Sequence, residues 1–204
     1  MSTSTEPAVT MPRSRRSRLT PEREGELYEA VVDLLAEVGY DSLTMDAVAA
    51  RTHSSKATLY RQWKSKPQLV VTALRRTKPV CLQDINTGSL RGDLREMVLL
   101  GGEGRRPEKD AALMRGLAHA AHENPDLQQA LRELLILPEI AALDVLLKRA
   151  VDRGEIAPDC PAMSYLPHMM CGAFVARPLI DDAPADPDYL LTYVDAVVLP
   201  ALGA

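Results

Sequence analysis

Ser55 to Lys66 reads SKATLYRQWKSK, a run in which cationic and hydroxyl side chains alternate with two large apolar ones. Lys56, Thr58, Tyr60 and Arg61 are hydrogen-bond donors of the kind that meets base edges and phosphate oxygens. Leu59 and Trp63 stand four residues apart, so on a helix they share one face and leave the donors on the other. Ser55 is placed to cap that helix, which would run from Lys56 to Trp63. Just upstream, Thr44 can cap a shorter helix with Asp46 in its first turn, where the helix dipole favours an anion. Val48 with Ala47, Ala49 and Ala50 gives this helix small side chains that allow close packing, and Thr52-His53-Ser54 breaks it. Two short helices, a tight turn and an outward row of donors describe a helix-turn-helix, whose second helix reads the major groove.

The rest of the chain must position that motif. Thr20-Pro21 opens a first helix, with Thr20 as cap and Pro21 at the first helical position. Leu27, Val31, Leu34, Leu35 and Val38 fall on one face, and Gly39 stops the helix. Ser65-Lys66-Pro67-Gln68 is a capping box that starts a fourth helix, continuing through Leu69, Val70, Ala73 and Leu74 towards Cys81. Residues 1–19 are Ser-, Thr-, Pro- and Arg-rich with little apolar content, so a disordered basic tail is expected. Its Arg13, Arg15, Arg16 and Arg18 suit either an arm along DNA or a solvated tail.

Beyond residue 80 there is no Asn-Gly hairpin and no sustained period-two strand. Helices are expected near 89–101, 108–123, 126–136, 138–153, 162–177 and 187–199. The connectors are Gly101-Gly102-Glu103-Gly104, Asn124-Pro125, 158–161 and 181–187, with Pro138 kinking one long helix. The expected fold is all-α, with domains at 20–80 and 81–204 following the tail.

Composition agrees with this division. The 204 residues carry a net charge of −4, which by itself counts against a polyanion binder. Residues 1–80, however, hold 13 Lys and Arg against 9 Asp and Glu, whereas residues 81–204 hold 11 against 19. A basic end joined to an acidic body points to polyanion contact at one end only. A nonspecific architectural binder would be basic throughout. No run of about 18 apolar residues predicts a membrane span, and the N-terminus lacks the apolar core of a signal peptide, so a cytoplasmic location is expected. Cys81, Cys160 and Cys171 have no CxxC spacing, which argues against a disulfide scaffold or a zinc finger. His119 and His122 beside Glu123, and His168 with Cys171, are spaced as metal ligands could be, yet form no compact set; no metal and no cofactor is expected.

The arrangement TMDAVAAR, SKATLYRQW and SKPQL, after a first helix ending Val38-Gly39-Tyr40, closely resembles the DNA-binding domain of the tetracycline-repressor (TetR) family over residues 20–75. Arg149 to Ile156, RAVDRGEI, resembles a segment in the ligand-binding half of many members. In the turn, His53-Ser54 stands where the family usually has Gly and an apolar residue; His takes a left-handed conformation less cheaply than Gly.

The resemblance implies a homodimeric transcriptional regulator, usually a repressor, released from operator DNA by a small-molecule effector. By motif position, Thr44, Tyr60 and Lys66 look like phosphate contacts, and Ser55, Lys56, Ala57, Thr58 and Arg61 face bases or nearby phosphates. Two stripes are expected to form a four-helix bundle between subunits: Met163, Leu166, Met170, Ala173 and Phe174, and Leu190, Leu191, Val194, Val197 and Val198. An effector pocket is expected among Met114, Leu117, His119, Leu143, Leu147, Met170 and Phe174, since Met adapts to irregular shapes. The alternative, an enzyme carrying an accessory DNA-binding module, finds no G-x-x-x-x-G-K-[ST], G-x-S-x-G or H-E-x-x-H motif.

Overall fold

The computed structural model describes residues 20–77, 82–102 and 107–204, and among these every regular element is helical. The basic tail, Cys81 and the Glu103-Gly104 part of the expected connector lie outside the described residues.

Helix α1 (Pro21–Ser42) starts where Thr20 Oγ1 accepts from the Arg23 N–H, with Pro21 in the first turn. Leu27, Val31, Leu34 and Leu35 are buried along one face, but Val38 is 42% exposed, because the stripe has rotated out of the core by the helix end. Gly39 adopts φ 74° and breaks the helical path. The chain can then turn so that Tyr40 and Leu43 bury, and the Leu43 N–H closes onto the carbonyls of Gly39 and Tyr40. Helices α2 (Met45–Arg51), α3 (Lys56–Trp63) and α4 (Lys66–Arg76) follow with the expected caps: Thr44, Ser55 and Ser65 accept from Ala47, Thr58 and Gln68 respectively.

Helix α5 (Leu90–Gly102) runs through Gly101 and Gly102 instead of yielding to a loop there. Helix α6 (Pro107–Glu123) precedes α7 (Pro125–Leu131), capped by Asn124. The chain then passes through a π-helical turn, Arg132–Ile136, into α8 (Leu137–Asp152) with no intervening loop. Pro138 explains the turn. It has no N–H to offer the carbonyl four residues back, and the preceding Leu137 N–H reaches five residues back, to Arg132. A second case falls at the chain end. Between α10 (Pro187–Tyr193) and α11 (Leu199–Leu202), the Leu199 N–H bonds to the Val194 carbonyl just before Pro200. Helix α9 (Leu166–Asp181) is entered through a 3₁₀ segment, Pro161–Tyr165.

Two buried clusters hold the molecule together. The first joins α1–α4 to α6 and α7 through residues such as Val31, Leu59, Leu69, Leu117 and Leu127. Helix α4, lying between α1 and α7, therefore buries Leu69, Val70, Val71, Ala73 and Leu74 around most of its circumference. The second joins α5, α8, α9 and the last helices through Leu94, Leu146, Leu166, Val194 and Leu202. Each fully buried Leu contributes about 2 kcal/mol of apolar transfer, so neither cluster is incidental.

The stripes expected between subunits divide between the chain's own core and its surface: Val197 is exposed, and Met163, Met170, Phe174, Leu190 and Leu191 are half-buried. Leu166, Ala173, Val194 and Val198 are buried against their own chain. The exposed side of α9 is a different one: Tyr165, His168, Gly172, Val175 and Leu179 succeed one another at helical spacing, with Leu179 72% and neighbouring Ile180 78% exposed.

Candidate nucleic-acid interface

The outward surface of α3 is built by burying its inner one. Leu59 is fully buried, and Trp63 meets the Tyr28 ring edge-on, with centroids 5.8 Å apart at 80°. That contact fixes the rotation of α3 against α1, since an edge-to-face pair has a preferred geometry. Ser55, Lys56, Ala57, Tyr60 and Arg61 are then exposed, and Thr58 is half-buried. The six are brought together on one short helix and its cap.

Their side chains are not equally free. The Ser55 hydroxyl accepts from the Thr58 N–H at 3.1 Å and lies 2.8 Å from the Thr58 hydroxyl. Lys56 Nζ donates to Asp46 Oδ2 at 2.9 Å, and the carboxylate raises the lysine's pKa by that hydrogen bond. Arg61 has no ion-pair or hydrogen-bond partner among the described residues. Thr44 is exposed at the start of α2, where its oxygen accepts from Ala47 N–H at 3.1 Å; its own hydroxyl proton remains available.

Lys66 stands apart. Its ammonium donates to the Tyr40 carbonyl at 2.9 Å and sits 4.1 Å from the Tyr40 ring centroid. Partial burial pushes its pKa down. Tyr40 itself is pushed up to about 12, by burial first and then by Asp41 and by Asp126 of α7. In this structure Lys66 pins the start of α4 to the end of α1.

The turn between α2 and α3 shows how His53 substitutes for glycine. His53 is left-handed at φ 50°, its N–H bonds to the Ala50 carbonyl, and the Ser54 N–H bonds to that of Ala49. This pair of bonds is a Schellman ending. No local motif marks Lys64, which is exposed and takes φ 58° with ψ −39° directly after α3. Its signal was only a cation next to the predicted helix end. The pairing of Asp46 with Lys56 is likewise announced by no local spacing.

The second motif, Arg149 to Ile156, joins α8 to α5. Arg149 Nη2 donates to the Ile85 carbonyl at 2.7 Å, and Glu155 accepts from the Leu90 N–H at 2.5 Å and from Arg153 Nε at 2.6 Å. Asp93, wholly buried, accepts from the Thr87 N–H and hydroxyl, with Arg153 3.7 Å away. Gly92 is required here, since a Cβ would lie 2.2 Å from Thr87 Oγ1.

The residues expected to line an effector pocket divide between the two buried clusters and the surface. Leu117 and Met114 pack in the first cluster, Leu143, Leu147 and Met170 in the second, Phe174 is half-buried and His119 is exposed. A groove of about 410 Å³ opens instead between Leu147, Lys148 and Val151 of α8 and Met163-Ser164, flanked by Asp144 and Asp152. Only Leu147 belongs to the expected set. Among the described residues no group of three or more His, Cys, Asp or Glu could hold a metal ion, and no helix is long and apolar enough to cross a membrane.

An exposed helix of donors, rotationally fixed on a three-helix base and followed by an all-helical body, defines a helix-turn-helix transcriptional regulator. Comparison with known proteins narrows the class. Residues 27–73 match the model for bacterial regulatory proteins of the tetR family, and residues 84–197 match that for the tetracyclin repressor-like C-terminal domain. The chain belongs to the TetR family. It is 36% identical over 182 residues, 88% of each chain, to an uncharacterized HTH-type transcriptional regulator of Mycobacterium tuberculosis. It is 32% identical over 179 residues to a protein of Mycobacteroides abscessus named as a DNA-binding transcriptional repressor, covering 87% of this chain and 92% of that one. A crystal structure of a TetR family transcription regulator superposes with a TM-score of 0.65 at 28% identity, over 88% of this chain and 98% of the other.

Proposed function

We propose that the protein is a homodimeric repressor that binds operator DNA through α3 and is released from it by a small-molecule effector bound in residues 81–204. The observation that carries this reading is the exposed face of α3, with Lys56, Tyr60 and Arg61 outward while Leu59 and Trp63 anchor it. Lys56 and Arg61 meet base edges, Thr58 offers a methyl to thymine, and Thr44, Tyr60 and Lys66 serve phosphates, Lys66 after leaving Tyr40.

Two copies are needed to span half-sites about one DNA turn apart. The exposed side of α9, where Tyr165, Val175, Leu179 and Ile180 stand open to solvent, offers a surface for that pairing. Release by the effector is a population shift: the ligand binds better to a dimer whose α3 helices are wrongly spaced for DNA. Helix α4, packed against both α1 and α7, is the mechanical link between the halves.

The deciding experiment is a gel shift of the full chain with DNA flanking its own gene, across a salt titration and with excess unrelated competitor. Saturable binding that resists competitor is expected. Binding abolished by competitor at every salt concentration would replace operator recognition with nonspecific contact.

A further inference from the structure

The geometry assigns to Asp46 a role in DNA reading: it is a positioning residue that holds the Lys56 ammonium for a base edge and keeps it from the phosphates. This rests on the DNA-reading role proposed for α3.

Three observations meet here. Lys56 is the first residue of α3, the end that a recognition helix presents to bases, and Asp46 lies on α2 with its oxygen 2.9 Å from the ammonium. Both side chains remain open to solvent, Lys56 at 51% and Asp46 at 70%, so the pair lies on the surface that would face DNA rather than inside the fold. And the other cation of the helix, Arg61, is unpartnered among the described residues. The two cations of α3 are therefore differently prepared.

The chemistry of the ammonium explains what the difference does. Lysine has three N–H donors and no acceptor. One is given to Asp46, and two remain, the number needed for guanine O6 and N7. A lysine without such a partner is a mobile point charge on a flexible stem, and on any duplex its nearest anion is a phosphate. Moving Lys56 to a phosphate breaks the pair and brings the Asp46 carboxylate up to the DNA backbone unneutralised, whereas a base contact keeps the pair intact. Asp46 thus penalises the sequence-independent mode without penalising the specific one, which is how specificity is gained as a difference between two affinities. An exposed ion pair adds little to folding stability, so what the pairing of Asp46 with Lys56 contributes is to recognition.

The test uses the full chain as wild type, Asp46→Asn, Lys56→Ala and the double variant, with Asp46→Ser as a second substitution and a melting curve for each. Fluorescence anisotropy is read on a random-sequence duplex and on a duplex selected by the wild-type protein from a random library. On the random duplex at about 0.1 M salt, Asp46→Asn is expected to bind about five- to tenfold tighter, with a slope of log K against log salt steeper by about 0.9, one additional phosphate contact. The ratio of selected to random affinity falls by at least the same factor. In the Lys56→Ala background all three changes vanish. An Asp46→Asn effect that persists without Lys56 would overturn the proposal, since Asp46 would then be one surface charge among many. So would an unchanged slope and ratio. If the wild type binds neither duplex, the DNA-reading role of α3 fails first and this inference with it.

Discussion

Glu155 and Leu90 are 65 residues apart in sequence, yet the Glu155 carboxylate accepts the first backbone N–H of α5. The same side chain accepts from Arg153, whose guanidinium holds its pKa below the ordinary carboxylate range. One acidic residue therefore supplies an anion at the N-terminus of α5 and ties it to the end of α8. Glu155→Gln keeps an acceptor but loses the charge, and about 1 kcal/mol of stability is expected to go with it, the group being partly solvated. Because the folded-state pKa is lowered, the contribution is complete above the unfolded value near 4.3 and lost as pH falls through the folded one. Urea denaturation should show the two proteins separated at pH 7 and converging in the acid range.

His53 is expected to be a site of easy stabilisation. Its left-handed backbone costs a non-glycine residue about 1 kcal/mol, and the side chain is exposed. His53→Gly removes that strain but adds backbone entropy to the unfolded chain. The net expectation is a gain of a few tenths of a kcal/mol, read as a higher urea midpoint at unchanged slope.

Tyr60→Phe and Arg61→Ala should separate positioning from reading. Loss of the Tyr60 hydroxyl weakens binding to all duplexes alike, whereas Arg61→Ala also relaxes preference at one base pair, by about 1–3 kcal/mol. Competition binding against a panel of single base-pair substitutions distinguishes the two patterns. Equal losses across the panel for Arg61→Ala would place that side chain on the backbone.

Lys66→Ala should behave unlike either. It removes a hydrogen bond and a ring contact that join α4 to α1, so about 1 kcal/mol of folding stability is expected to disappear together with DNA affinity. A variant that lost affinity at unchanged urea midpoint would show the contact with Tyr40 to be incidental.

Leu179→Glu tests the pairing surface. Leu179 is 72% exposed on α9, so the substitution leaves the chain's own core alone but sets like charges against each other across a two-fold axis. Light scattering should shift from dimer to monomer, and operator binding should fall steeply.

The local parts of this architecture were legible in the sequence because their causes are local. Thr20, Thr44, Ser55 and Ser65 each cap the helix they precede, and the Leu59–Trp63 spacing sets the inward face of α3 without help from elsewhere. What depends on distant packing was not legible. A residue such as Leu166 is equally suited to a subunit interface and to the chain's own core, and only the position of α8 and the last helices decides. Lys66 sits at a motif position that suggests a phosphate, but the return of Tyr40 after Gly39 supplies it with an internal partner. The Arg149–Ile156 segment was legible as a motif, while its work, holding Ile85 and Leu90, lies across 64 and 65 residues of chain.

The sharing of one core by α1–α4 with α6 and α7 bears on how the protein can be rebuilt. Leu117, Leu127 and Ala130 stand in the same cluster as Val31 and Leu69, so a graft cut after the fourth helix would carry away a raw apolar surface and leave another behind. A sensor exchanged between relatives should be joined elsewhere. A single break at the Arg132–Ile136 turn would strand α5, whose Leu90, Leu94 and Val98 belong to the second cluster, so an exchange that respects the packing keeps α6 and α7 with the reading head and moves α5 together with α8 onward.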